Sequence, residues 1–134
     1  MASVRFPTLL FALVALLMTA RQADAQDLLQ LVETAPVETD LDHPEIPEAH
    51  EVWVSMIGGA RQSIDIAQFY VVSEQGGRLE PVLEAVRKAA RRGVRVRILA
   101  DAKFHQTYPS DLDALAARKN IEVQLFDVEA AMGG

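Results

Sequence analysis

Residues 61–101, RQSIDIAQFYVVSEQGGRLEPVLEAVRKAARRGVRVRILAD, contain two short apolar, β-branched segments separated by an amphipathic stretch. The outer segments, residues 63–72 and 94–101, have the composition of strands. Between them, apolar residues recur at helical spacing. This stretch includes Pro81, which a first helical turn tolerates, and ends at Gly93, which favours a left-handed stop. A strand, a helix and a strand in this order predict a β-α-β crossover with parallel strands.

Elements of the same kind extend the pattern toward the N-terminus. Residues 28–33 alternate in the manner of a short first strand, and residues 48–60 carry an apolar helical stripe. The stripe consists of Ala49, Val52, Trp53, Met56, Ile57 and Ala60. We therefore expect a strand and a helix before the crossover.

A further helix and strand follow the crossover. Ser110 and Asp113 have the spacing of a capping box, and the helix that they begin runs to Lys119, where Asn120 can close it. Residues 121–125 then alternate as a last strand. The order β-α-β-α-β-α-β predicts an α/β fold, a mostly parallel sheet flanked by helices that cover both of its faces.

The first residues have the composition of a processing segment. Residues 6–20 are almost entirely apolar, and Ala23-Asp24-Ala25 has the small-x-small pattern that signal peptidases recognise. A short membrane anchor and a core helix are the alternatives, but the apolar stretch falls short of the roughly 20 residues that a spanning helix needs. We expect residues 1–25 to be a signal peptide cleaved after Ala25. The mature chain would then be secreted or periplasmic, with no stable membrane span.

Composition limits the kinds of function. The formal net charge of −6 argues against a general nucleic-acid-binding surface, although not against a locally basic cleft. No cysteine is present, so disulfides and thiolate metal sites are excluded. Residues 27–51 carry eight acidic side chains and no basic one. A solvated loop is the default interpretation of this segment, and an acidic metal-binding patch is the alternative.

Function in an open α/β sheet is expected at the carboxyl ends of the strands. There, Asp101, Lys103 and His105 lie within one predicted loop and could converge on a ligand, with His105 as acid, base or nucleophile. A lone histidine without a functional role is the competing interpretation. No dinucleotide-binding glycine motif, Walker loop or nucleophile elbow occurs in the sequence.

Three other features have both a structural and a functional interpretation. Trp53 is predicted to be a core anchor rather than a ligand-stacking residue. Asp65, in the middle of a strand, is predicted to be a hydrogen-bonded carboxylate, either buried or at a strand end, rather than a catalytic one. A basic cluster is attributed mainly to a helix C-terminus and a solvated strand edge, with phosphate binding as the alternative. The cluster consists of Arg87, Lys88, Arg91, Arg92, Arg95 and Arg97.

The amino-acid sequences of these segments resemble those of a known family. RQSIDIAQFY, the helix LEPVLEAVRKAARRG and the strand VRVRILAD are similar to the N-terminal part of phospholipase D superfamily proteins. The similarity is greatest to the branch of secreted or lumenal phospholipase D-like proteins. LQLVETAP before these segments and IEVQLFDVEAAMGG after them have the order and spacing of the same branch.

The resemblance implies phosphodiester hydrolysis at a His-x-Lys-x4-Asp motif, on phospholipid or nucleic acid. In such an enzyme a histidine attacks phosphorus to form a phosphohistidine, and a histidine from a second motif copy protonates the leaving group. Lysines hold the phosphate oxygens, and neither a metal nor another cofactor is required.

That motif does not occur in the sequence, because His105-Gln106-Thr107 lacks both the lysine and the aspartate. We therefore assign no catalytic, cofactor-binding or metal-binding residue. Residues 26–134 are expected to be a partial phospholipase D-like α/β domain that ends just before the first motif and lacks the C-terminal half of the fold. Such a chain should be inactive, and it should be marginally stable or aggregate. The alternative is a complete small exported α/β binding module without enzymatic activity.

Overall fold

A computed structural model describes residues 29–36 and 39–133. The predicted signal peptide, residues 1–25, lies outside the described residues and stays a prediction. In the described part, five helices and three strands follow one another. They are α1 (Ala49–Gly59), β1 (Ser63–Gln68), α2 (Leu79–Arg91), β2 (Arg95–Asp101), α3 (Ala102–Thr107), α4 (Ser110–Ala116), β3 (Ile121–Phe126) and α5 (Val128–Ala131).

The three strands form one parallel sheet in the order β1-β2-β3. Ile98 at the centre of β2 is in register with Ile66 on β1 and with Val123 on β3. The predicted β-α-β crossover is confirmed, and so is the α/β class. Gly93 has a φ of 93° directly after α2, which is the left-handed stop that the sequence indicates.

The core lies on one face of this sheet. Every second residue of β2, from Val96 to Ile98 and Ala100, is buried against the apolar stripe of α2 and against Leu112 and Leu115 of α4. The alternation produces this arrangement, since successive side chains of a strand point to opposite faces.

The opposite face of the sheet is open in the described part of the chain. Asp65, Ala67, Arg97 and Leu99 are all exposed there. The prediction that helices cover both faces is therefore wrong for these residues. The apolar content of residues 63–72 favours that prediction, but Val71 and Val72 lie beyond the end of β1 and do not indicate how its two faces are covered.

The predicted first strand, residues 28–33, is also not found. Leu28 lies outside the described residues, and of the others only Glu33 forms a bridge, an isolated parallel one with Glu48. The Glu33 amide donates to the Pro47 carbonyl at 3.1 Å, and the Ala49 amide donates to the Glu33 carbonyl at 2.7 Å. Pairing cannot extend, because Pro47 has no N–H and Ala49 already begins α1.

The predicted capping box at Ser110 is wrong. Pro109, not Ser110, occupies the N-cap position of α4, and no side chain caps this end. The amide of Asp113 donates to the Pro109 carbonyl at 2.9 Å, while its carboxylate binds His105. The helix ends at Ala116 instead of Lys119, although Asn120 does adopt the left-handed conformation, with a φ of 68°.

None of the helices in the described ranges is long and apolar enough to cross a membrane.

Candidate functional site

The carboxyl edge of the sheet is where a ligand of an open parallel sheet is expected. β1 continues there into Phe69 and Tyr70, β2 ends at Asp101, and β3 is followed by Asp127. Both aspartates begin a short helix directly after their strand. This edge is therefore built from strand ends, two helix starts and a group of aromatic side chains.

Asp101 holds the start of α3. Its carboxylate accepts a hydrogen bond from the Lys103 amide at 2.7 Å, and its own amide donates to the Phe69 carbonyl at 3.3 Å. The residue is only 8% exposed. The segment 101–105 was predicted to be a loop, and this is wrong, because the Asp101 cap converts it into a helix.

The side chains of Lys103 and His105 reach different partners. The Lys103 ammonium contacts the Glu129 carboxylate at 3.0 Å, and His105 Nε2 contacts Asp113 Oδ1 at 2.8 Å. The hydrogen bond to Glu129 is the main reason why the pKa of Lys103 is raised above its usual value. The predicted convergence of Asp101, Lys103 and His105 on one ligand is therefore not found.

Asp127 repeats the role of Asp101 on the neighbouring strand. Its carboxylate accepts from the Ala130 amide at 2.8 Å and so begins α5. The Lys103–Glu129 ion pair then connects α5 to α3. Two consecutive strand ends are thus organised by aspartate caps, and one exposed ion pair links the helices that they begin.

Four aromatic side chains form a cluster at this edge that the sequence analysis missed. The ring of Phe104 lies 5.9 Å from that of Phe69 and 5.5 Å from that of Tyr70, and the rings of Tyr70 and Tyr108 are 6.3 Å apart. All four are exposed. Phe104 and Tyr108 are four residues apart, but Tyr108 lies just after the end of α3, so helical spacing alone does not predict this cluster.

The loop after β1 is fixed to α4 beside this cluster. The amide of Ser73 donates to Asp111 Oδ2 at 2.6 Å, and its hydroxyl donates to Oδ1 at 3.0 Å. The carboxylate of Asp111 is thereby used to position backbone. It is not left as a base for chemistry.

Trp53 lies at the rim of a cavity between α1, β1 and α2. The cavity has a volume of about 620 Å³, and its walls are mainly apolar, with Met56, Ile64 and Val82 among them. Trp53 is 45% exposed, and α1 has no fully buried residue. The prediction of a core anchor is therefore wrong, because the apolar stripe of α1 packs only partly against the sheet.

Asp65 is hydrogen-bonded, as predicted, but it is exposed. The Arg97 guanidinium contacts both carboxylate oxygens, at 2.6 and 2.8 Å, on the open face of the sheet. These hydrogen bonds hold the pKa of Asp65 below its usual value and raise that of Arg97. The pair occupies both groups and leaves neither as a free acid or base.

Glu33 and His43 are bound to each other within the acidic N-terminal segment. Glu33 accepts from the His43 amide at 2.7 Å and contacts its ring at 2.9 Å, which together lower the pKa of the glutamate. In the ranges that the structure describes, no three histidine or acidic side chains are grouped closely enough to hold a metal ion.

The basic cluster divides between different partners. Arg97 belongs to the Asp65 pair, while Arg87 and Arg91 both contact Glu84. Arg92 donates to backbone carbonyls at the end of α1. At the end of α2, Arg118 and Lys119 join these arginines around a cavity. Arg118 and Lys119 come from a turn that is distant in sequence, so spacing around α2 does not reveal them.

Comparison with known proteins gives a consistent result. Residues 53–132 match the model of a family described as cardiolipin synthase, PLD-like domain. Phospholipase D Z of Dictyostelium discoideum is 29% identical over 114 residues, which cover 78% of this chain and 26% of that protein. The 5'-3' exonuclease PLD3 of Bos taurus is 29% identical over 129 residues, which cover 85% of this chain and 26% of that protein. This chain therefore spans about a quarter of the length of these relatives.

Proposed function

Because this chain belongs to the phospholipase D superfamily, we propose that it is the N-terminal part of an exported phosphodiesterase and has no activity by itself. The match of the family model over residues 53–132 carries this proposal. It is supported by the parallel sheet flanked by helices, which is the α/β fold that the resemblance implies. The small share of each relative that the chain covers agrees with a partial domain.

In this proposal, the described residues form the scaffold of the site. The aspartates that cap α3 and α5 fix the carboxyl edge, and the Lys103–Glu129 pair holds these helices together. The histidine that attacks phosphorus and the lysine that holds its oxygens would come from His-x-Lys-x4-Asp motifs outside this sequence. Cations aimed at the developing charge and a fixed nucleophile are the usual requirements of such a reaction.

The substrate is a phosphodiester of a phospholipid or of a nucleic acid. Relatives of both kinds match the chain, one named a phospholipase D and another a 5'-3' exonuclease. The −6 net charge argues against a general nucleic-acid-binding surface but not against a locally basic cleft, so it does not decide between the two substrate classes.

The first test is to read the gene beyond the codon for Gly134. We expect the frame to continue into a His-x-Lys-x4-Asp motif. The product of that extended frame should hydrolyse bis-p-nitrophenyl phosphate, and replacement of the motif histidine by alanine should abolish the activity. Labelled single-stranded oligonucleotide and phosphatidylcholine vesicles would then separate the two substrate classes.

The 134-residue chain is the matched control and should show no hydrolysis above background. Activity of this chain that is lost in His105→Ala would contradict the proposal. A stop codon at this point, together with a stable folded product, would favour the alternative of a small exported binding module.

Export is part of the proposal, and it is supported by the signal-peptide pattern of residues 1–25. We expect the mature protein, recovered from outside the cytoplasm, to begin at Gln26. N-terminal sequencing or intact mass measures this directly, and a protein that retains Met1 in the cytoplasm would contradict it.

A further inference from the structure

A cavity with basic walls lies at the amino edge of the sheet, opposite the carboxyl edge described above. It has a volume of about 440 Å³ and is formed by two segments that are distant in sequence, the end of α2 and the turn between α4 and β3. We call it the basic pocket. Its polar lining consists of Arg87, Arg91, Arg92, Arg118, Lys119 and Asn120.

The two segments are fixed to each other by Asn120. Its side-chain amide donates to the Ala90 carbonyl at 3.0 Å, and its backbone carbonyl accepts from the Val96 amide at 2.8 Å. The residue adopts a φ of 68°, which turns the chain sharply before β3. The turn that carries Arg118 and Lys119 is thereby held against α2 without any ligand.

The arginines on the α2 side are also held in place. Glu84 accepts from Arg91 at 2.7 Å and from Arg87 at 3.3 Å, and these bonds keep the pKa of the glutamate below its usual value. Arg92 donates to the Ile57 carbonyl at 3.1 Å. Each of these three guanidinium groups therefore has a partner within the protein without any ligand.

The positive charge of the basic pocket is only partly neutralised. Glu84 is a single carboxylate for two arginines, and among the described residues Arg118 and Lys119 form no ion pair. This excess occurs in a chain whose overall charge is −6. A cluster of like charges is unfavourable by itself, so an anion with more than one negative charge would relieve it.

We propose that the basic pocket binds a small phosphate-bearing ligand, either inorganic phosphate or a phosphate monoester. Guanidinium groups match phosphate oxygens in a bidentate geometry, and the lysine adds a point charge. The volume lies in the range of pockets for small ligands. This site is separate from the carboxyl edge, and its existence does not depend on phosphodiester hydrolysis.

The test compares two double variants that lose the same charge. Arg118→Ala with Lys119→Ala removes two cations from the basic pocket, while Arg61→Ala with Arg95→Ala removes two cations outside it. The thermal unfolding midpoint of the 134-residue chain is measured during titration with inorganic phosphate, against sodium chloride at equal ionic strength. We expect phosphate to raise the midpoint of the unmodified chain and of the second variant. In the first variant, the phosphate concentration that gives half of the maximal rise in the unfolding midpoint should increase about tenfold.

Equal phosphate responses in both variants would overturn the proposal, because they would indicate a general salt effect. A midpoint that phosphate raises no more than chloride does would also overturn it. Arg118→Gln with Lys119→Gln gives the same comparison should the alanine variant not fold. Titration with adenosine 5'-monophosphate separates the two ligand sources. If this monoester binds more tightly than inorganic phosphate does, the ligand is a phosphate monoester. If it binds equally or more weakly, the ligand is the free phosphate ion.

Discussion

Arg97 binds Asp65 through both carboxylate oxygens, at 2.6 and 2.8 Å, and the two residues are direct register partners on neighbouring parallel strands. Both side chains lie near the middle of their strands and point to the face of the sheet that is open among the described residues. A charge in the middle of an otherwise apolar strand is therefore accounted for by a cross-strand ion pair.

The Asp65–Arg97 pair predicts a dependence of stability on pH. The pair lowers the pKa of Asp65 below the ordinary 3.8, so its contribution is fully present above that pH and is lost as the pH falls through the folded-state pKa. Asp65→Asn should therefore lower the urea midpoint slightly at neutral pH and have less effect near pH 3. The effect is small because both groups are exposed.

The control for this prediction is Glu74→Gln, which removes an exposed carboxylate from the turn before α2. Its effect on the urea midpoint should not follow the same pH profile. A difference between Asp65→Asn and the unmodified chain that stays constant from neutral pH to pH 2 would contradict the role of this pair.

Leu112 should be critical for folding. It is 1% exposed and packs in the core between α4 and the sheet. Leu112→Ala should cost about 2–5 kcal/mol of unfolding free energy, a large part of the stability of a small domain. Leu125→Ala is the matched control, since the same atoms are removed from a side chain that is 42% exposed. Denaturant unfolding by circular dichroism measures both, and equal losses would contradict the assigned core.

Two glycines should respond to alanine in opposite directions. Gly93 has a φ of 93°, where an added Cβ is strained, so Gly93→Ala should lower the unfolding free energy by about 1–2 kcal/mol. Gly58 lies in the last turn of α1, and a Cβ there would meet no atom within 4 Å. Gly58→Ala should therefore raise the unfolding free energy by about 0.5–1 kcal/mol. Two changes of the same sign would contradict the backbone conformations described here.

The β-α-β crossover of residues 61–101 could be predicted because its signals are local. The helical spacing of apolar residues, Pro81 in the first turn and Gly93 after the last turn each depend on a few neighbouring residues. Local signals of this kind are not sufficient to predict the first strand. Residues 28–33 alternate correctly, but Pro47 and the start of α1 at Ala49 prevent a ladder beyond Glu33.

The side-chain partners of the candidate residues depend on tertiary contacts that the sequence does not display. His105 was considered with Asp101 because they are close in sequence, yet its partner is Asp113 on the next helix. Likewise, the basic pocket joins α2 to residues about 30 positions later through the bond from Asn120 to Ala90. Local spacing therefore predicts the β-α-β crossover, while the site and the basic pocket depend on which elements meet.

The open face of the sheet predicts that the 134-residue chain self-associates. Parallel sheets are normally covered on both faces, and here Leu99 is 41% and Phe126 45% exposed on strands whose other face is packed. β1 and β3 are also the edges of the described sheet and can pair with another chain. We expect sedimentation velocity to show species larger than a monomer that increase with protein concentration. Leu99→Ser with Phe126→Ser should reduce this association, whereas Met132→Ser, at an exposed residue outside the sheet, should not. A concentration-independent monomer with one cooperative thermal transition would show that the open face is stable in water.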